Sequence, residues 1–174
     1  MIDLARRIEF IANVAIIVVA TLLAIVLTQQ YLLRTTIKND HGLLADQQSH
    51  IGTRLSLPDI DWNKNRQTLV LAISSNCHFC TESAAFYRQL STNKRKTQVI
   101  AVLPQPVEEG RSYLERIGVS VDEIRQLPLD QIGVHGTPTL LLVDDSGVVK
   151  NFWVGRLPSD QETTVLNALW KEKG

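Results

Sequence analysis

The sequence lacks a net charge, lacks cysteine except at two positions, and lacks any long run of like charge. Its 18 Lys and Arg balance 18 Asp and Glu over 174 residues, so no overall field draws the chain to a polyanion. The densest basic cluster, Lys94-Arg95-Lys96, is short and has no interleaved aromatics. It suits a solvated turn after a helix, and nucleic acid is not an expected partner. An apolar content of 44% is that of one ordinary globular domain.

Charge is also missing from Phe10 to Leu27, where every residue except Asn13 and Thr21 is apolar. As a helix this run measures about 27 Å, close to the hydrocarbon core of a bilayer. A buried helix apolar on all sides would need a surrounding core that the chain is too short to supply. No A-x-A site follows, and no cysteine is placed to carry a lipid, so the run reads as an uncleaved anchor and not as a signal peptide. Arg6 and Arg7 precede it and Arg34 and Lys38 follow it, so charge alone leaves the orientation open. Tyr31 stands where an interfacial aromatic is expected, and Thr35 to Ser49 is polar and weakly helical, as suits a stalk. The expected organisation is an anchor over residues 1–34, a linker over 35–50 and one domain over 51–174.

In that domain, "IGTRLSLPDIDW" (51–62) alternates roughly around Pro58 and reads as an edge strand or extended lead-in. Thr68 to Ile73 is a nearly unbroken apolar run, as in a strand buried on both faces. Helix-compatible residues follow from His78 to Leu90, with Phe79, Ala84, Phe86, Tyr87 and Leu90 at turn spacing toward the sheet. A strand over Gln98–Leu103 and a helix over Glu108–Ile117 complete a right-handed βαβ unit. After a loop-rich passage through Pro128, the runs Thr139–Val143 and Val148–Val154 flank Asp144-Asp145-Ser146-Gly147, a hairpin signal. The last segment, Pro158–Lys173, opens on capping residues and sets Val165, Leu166, Leu169 and Trp170 on one face. The expected fold class is α/β: βαβ then ββα, a mixed sheet with helices on both faces.

The only cysteines, Cys77 and Cys80, sit at the junction of the buried strand and its helix, after the N-cap types Ser74, Ser75 and Asn76. Helix N-terminal amides favour an anion and lower a thiol from about 8.5 into a range of roughly 3.5 to 7.5. Cys77 is therefore the expected nucleophile. Cys80, one turn on, is within disulfide reach as the resolving thiol. Inert packing does not account for an isolated C-x-x-C at such a junction. A closed zinc site would need two more ligands, with His41, His50, His78 and His135 the histidines on offer. His78 and Phe79 fill the motif's interior, where a histidine cation would stabilise the thiolate and make the disulfide more oxidising.

A second constellation is "GVHGTPTLLLVDDSG", in which Thr137-Pro138 precedes a buried strand. With the C-x-x-C and the βαβ order, it resembles the thioredoxin superfamily, over Ile51 to Trp170. The resemblance implies a cis-Pro138 facing the cysteines, a Thr137 backbone that pairs with extended substrates, and glycines after the last two strands at Gly147 and Gly155. The anchor, the lead-in and the insertion from Pro104 to Pro128 look most like the membrane-tethered TlpA/ResA-like redoxin branch. That likeness implies a single-pass inner-membrane protein with a periplasmic domain, exchanging disulfides with cysteine-containing clients and a redox partner protein, without cofactor or metal. Departures from the family are Asn76 for the usual tryptophan, His78-Phe79 for the usual proline dipeptide, and Ala84 near a usual helix-kinking proline. Leu71 stands where thioredoxin has a buried acid, so proton transfer would fall to water, Glu82 or another group, although a first-turn Glu82 also suits plain solvation. The readings left open are a peroxiredoxin-like thiol peroxidase, against which "ISSN" replaces the upstream proline-threonine pair, and a copper or zinc carrier built on the cysteines with His78 or His135.

Overall fold

The apolar run from Gln67 to Ala72 is strand β1, buried at every residue but the first. In this computed structural model, which describes residues 17–29, 50–93 and 96–170, β1 is the middle of five strands. The others are β2 (Thr97–Leu103), β3 (Glu123–Gln126), β4 (Thr139–Asp144) and β5 (Val149–Val154), ordered β3-β2-β1-β4-β5. β1 runs parallel to β2 and β2 to β3, whereas β4 is antiparallel to both β1 and β5. The sheet is mixed, as expected. A strand with hydrogen-bonded neighbours on both edges and side chains packed on both faces has no exposed position left, which is why β1 carries no alternation.

Two side-chain layers result. Leu69, Leu71 and Ile73 point into one with Val99, Ala101, Leu103, Leu140 and Trp153. Helices α2 (His78–Glu82), α3 (Ala84–Thr92), α4 (Val107–Arg116) and α5 (Ser159–Trp170) all bury their apolar residues there. Val70 and Ala72 point into the other, which Leu55, Leu57, Trp62, Ile132 and Val134 close from coil and two short 3-10 turns, Trp62–Lys64 and Leu129–Ile132. The pattern predicts helices on both faces; instead every α-helical segment with a buried face packs on one, and 3-10 turns and the lead-in cover the other. Of the two forms open to the lead-in, edge strand or extended segment, it takes the second, making a single bridge, Arg54 with Val148.

Three further differences have local causes. The helix expected over His78–Leu90 is two segments divided at Ser83, although the backbone bonds Ser83 N–H to Phe79 O and Tyr87 N–H to Ser83 O carry the turn across the division. Cys80, Ala84, Tyr87 and Leu90, spaced four, three and three, form the buried stripe. Phe79, a residue before the stripe, is turned out and is 55% exposed instead of facing the sheet. Trp170 is 38% exposed, beside a stripe of Val165 and Leu169, with its indole N–H donating to Asn93 O. β3 has no counterpart in the expected pattern, because "EIRQ" holds one large apolar residue. Tertiary contacts dock it: Asp122 donates its N–H to Val99 O and accepts the Val99 N–H on its carboxylate at 2.8 Å.

The chain divides into two compact units, Met1–Leu44 and Ala45–Gly174. In the first, residues 17–29 form helix α1, exposed throughout. Among the described residues no helix is long and apolar enough to cross a membrane. Residues 10–16 of the expected span, Tyr31 and the 35–49 stalk lie outside the described residues.

The β4–β5 turn places Gly147 at φ 79°, with Trp62 so close that a Cβ there would stand 2.9 Å from indole Cδ1 and Nε1. Gly52 has a similar φ of 85° but open space around it. We expect Gly147→Ala to cost about 2–3 kcal/mol, backbone plus clash, and Gly52→Ala only about 1 kcal/mol. Equal denaturation midpoints for the two variants would contradict this packing.

Candidate functional site

The register of β1 with β4, Ala72 opposite Thr139, brings the exit of one strand beside the entrance of the other. Each strand is preceded or followed there by a loop the sequence had singled out. Cys77 follows β1, and Thr137-Pro138 precedes β4 with a cis peptide bond. Cys77 Sγ lies 3.4 Å from the Thr137 carbonyl oxygen. The proline loop is fastened by Gly155 N–H donating to Pro138 O at 2.7 Å and by Thr139 Oγ1 donating to Gly136 O at 2.7 Å.

Cys77 is itself the N-cap of α2, in extended backbone at φ −89° and ψ 115°. From there its sulfur reaches back to accept the Cys80 N–H at 3.1 Å, satisfying an amide that the first helical turn leaves without a carbonyl. The two cysteines are joined as a disulfide, with Cα atoms 5.2 Å apart. Their settings differ. Cys77 is half-buried at the rim, while Cys80 has no exposed surface and belongs to the helix-covered core.

Leu71 is fully buried in the same core layer as Cys80. The buried polar side chains among the described residues are Thr68, Ser83, Thr97 and Thr139, so no carboxylate stands in for the acid that Leu71 replaces. Ser83, the one on α2–α3, donates its hydroxyl to Phe79 O at 2.8 Å. Tyr87, two turns beyond Cys80, is enclosed; burial pushes its phenol well above the ordinary value, the Ser83 hydroxyl countering only in part.

Glu82 is held at the rim. His78 Nε2 lies 3.1 Å from one of its oxygens and Arg156 Nη1 2.9 Å from the other. One carboxylate thus spans the motif's own histidine and a cation from the β5–α5 turn. Arg156 carried no sequence signal, because its place beside Glu82 depends on a contact 74 residues apart in the chain. Phe79 exposes an apolar ring tilted against that of His78, and His135 is exposed in the loop before Thr137. Among the described residues no group of three or more His, Cys, Asp or Glu is gathered where it could hold a metal.

The structure is similar to several solved ones. A Chlorobium tepidum protein provisionally assigned as the thiol:disulfide interchange protein DsbE shares 25% identity over 62% of this chain and 82% of its own, with a TM-score of 0.51. A Neisseria meningitidis protein provisionally assigned as a thioredoxin gives 19% identity, 70% and 91% coverage and a TM-score of 0.55. A thiol:disulfide interchange protein from Bacteroides sp. gives 16%, 71% and 87%, and 0.54. No protein-family model and no curated protein matches the chain. The fold these comparisons share with the chain is the thioredoxin fold.

Glu82→Gln removes the carboxylate that Arg156 and His78 share at the rim of the motif, leaving the Arg156 charge unopposed there, and so should favour a Cys77 thiolate. Because the groups are largely exposed, we expect a shift of only about twofold toward the dithiol in equilibrium with glutathione, fading at high salt. A shift toward the disulfide would show that Glu82 does not offset the Arg156 charge.

Proposed function

We propose that this thioredoxin-superfamily chain is a membrane-tethered thiol-disulfide oxidoreductase whose Cys77–Cys80 couple exchanges disulfides with cysteine-bearing proteins outside the cytoplasm. The observation that carries this reading is the asymmetry of the pair. Cys77 stands at the rim, at a helix start, within reach of the Cys80 amide and of the loop before Pro138, while Cys80 is sealed behind it.

The chemistry follows from that asymmetry. In the reduced protein the Cys77 thiolate is stabilised by the Cys80 N–H and the adjoining helix-start amides. It attacks one sulfur of a client disulfide, forming a Cys77–client mixed disulfide and releasing the client's other sulfur as a thiolate. Cys80 loses its proton and attacks Cys77 Sγ, and the client's second sulfur departs. Two electrons have then passed to the client, and the disulfide seen here is the product; the reverse order oxidises a client dithiol. With no core carboxylate near Cys80 and both Glu82 oxygens engaged, the thiolate released by the client is the base the exchange itself supplies for the Cys80 proton. Electrons and protons move between sulfurs and solvent, so the cycle calls for no cofactor.

Helix α1 supports the tether. Ile17, Leu22, Leu23, Ile25 and Leu27 are each 54–62% exposed and no charge interrupts them, a surface that suits lipid and not water. We place the chain in the inner membrane as a single-pass protein with its redox domain in the periplasm, where disulfides form and persist.

Cys77→Ser should abolish disulfide exchange with a reduced or oxidised test substrate, and Cys80→Ser should accumulate mixed disulfides visible on non-reducing gels. Exchange that survives Cys77→Ser would sink the reading. The location is tested separately: the chain should stay with membranes through carbonate washing, and its domain should be cleaved by protease added to spheroplasts.

A further inference from the structure

The segment Ser74–Asn76 between β1 and α2 belongs to neither strand nor helix, so its polar groups must be satisfied from outside. They are met from the connection between β2 and α4. Gln105 donates its Nε2 to Ser74 Oγ at 2.8 Å, and its Oε1 accepts the Ser75 N–H at 3.4 Å. Ser74 passes the constraint on: its Oγ accepts the Asn76 N–H at 3.3 Å and its carbonyl accepts the Cys77 N–H at 3.1 Å. One amide side chain is thus joined through one serine to the backbone of the nucleophile.

Gln105 is well placed to act this way. Pro104 and Pro106 flank it, and their rings restrict the backbone on either side. Its side chain is half-buried, so competition from water is reduced. A second tie, Ser75 Oγ donating to Glu109 at 2.6 Å, is exposed and correspondingly weaker.

We propose that Gln105 is a positioning residue for thiol-disulfide exchange, holding the 74–77 turn so that Cys77 Sγ stays within reach of the Cys80 amide. This rests on the exchange reading above. Cys77 must keep its extended backbone for its sulfur to turn back over the helix start. A loosened turn would weaken the Sγ contact with the Cys80 N–H, which stabilises the thiolate and contributes nothing comparable to a disulfide. Losing it disfavours the dithiol state and slows attack by Cys77.

The test is Gln105→Met in the 174-residue chain, a change that keeps length and bulk but removes both hydrogen bonds. We expect the equilibrium with glutathione to move about fivefold toward the disulfide, the factor for one ordinary hydrogen bond, or about 20 mV for this two-electron couple. Alkylation of reduced Cys77 at neutral pH should slow by a similar factor, with Cys80 and the charged or titratable groups at the rim, Glu109, His78, Glu82, Arg156 and His135, left unchanged. Ser74→Ala, which removes only the tie through the serine hydroxyl, should move both readouts in the same direction, and the double variant should fall short of the sum of the two. A wild-type equilibrium and alkylation rate in Gln105→Met, or effects that sum in the double variant, would overturn the proposal. Should Gln105→Met fail to fold, Ser74→Ala decides: a wild-type rate refutes the coupling and a slowed one supports it. Exchange persisting in Cys77→Ser would instead refute the enzymatic reading itself.

Discussion

The antiparallel pairing of β1 with β4, in the register that sets Ala72 opposite Thr139, is the constraint on which the site depends. Side-chain alternation makes a slip of one residue untenable, since it would turn Leu69 and Leu71 out of one layer and Val70 and Ala72 out of the other. With the register held by two packed layers, the end of β1 and the start of β4 must coincide. Cys77 and Pro138 are then neighbours despite lying 61 positions apart in the chain. Burial of the centre of the sheet is therefore what assembles the chemistry at its edge.

Around the sulfurs, the structure divides labour between an apolar interior and a polar rim. Leu71 and the helix-covered layer keep Cys80 away from charge, so the core contributes shielding and no proton relay. Charge is confined to the surface, where Glu82 holds His78 on one oxygen and Arg156 on the other. A histidine inside the motif suggests an oxidising couple when it is read by itself. The structure sets a carboxylate 3.1 Å from that histidine and 2.9 Å from Arg156, so the charge at the rim depends on all three groups and not on the histidine by itself.

Much of this was legible in the chain because the relevant physics is local. The unbroken apolar run of β1 implies burial on both faces. The N-cap residues before Cys77 mark the helix start, and Asp144 to Gly147 mark the hairpin. The C-x-x-C spacing places its second sulfur one turn on. Features set by partners distant in sequence were not legible. β3 is a strand because Asp122 clasps Val99, and nothing in "EIRQ" announces it. Phe79 seemed a core residue by spacing, yet Cys80 occupies the stripe and turns it to solvent. The second face is closed by Trp62 and short 3-10 turns that have no periodicity to read.

The redox pair, the order of its two thiols along a helix, the βαβ–ββα succession and an apolar N-terminal run are all written in the chain, because each depends on spacing within a few residues. Which side chains surround the pair is a matter of folding. Glu82 meets Arg156, Gln105 meets Ser74 and the Thr137 carbonyl meets Cys77 through strand register and crossover geometry, and contacts 30 to 74 residues apart leave no periodic trace in a single chain.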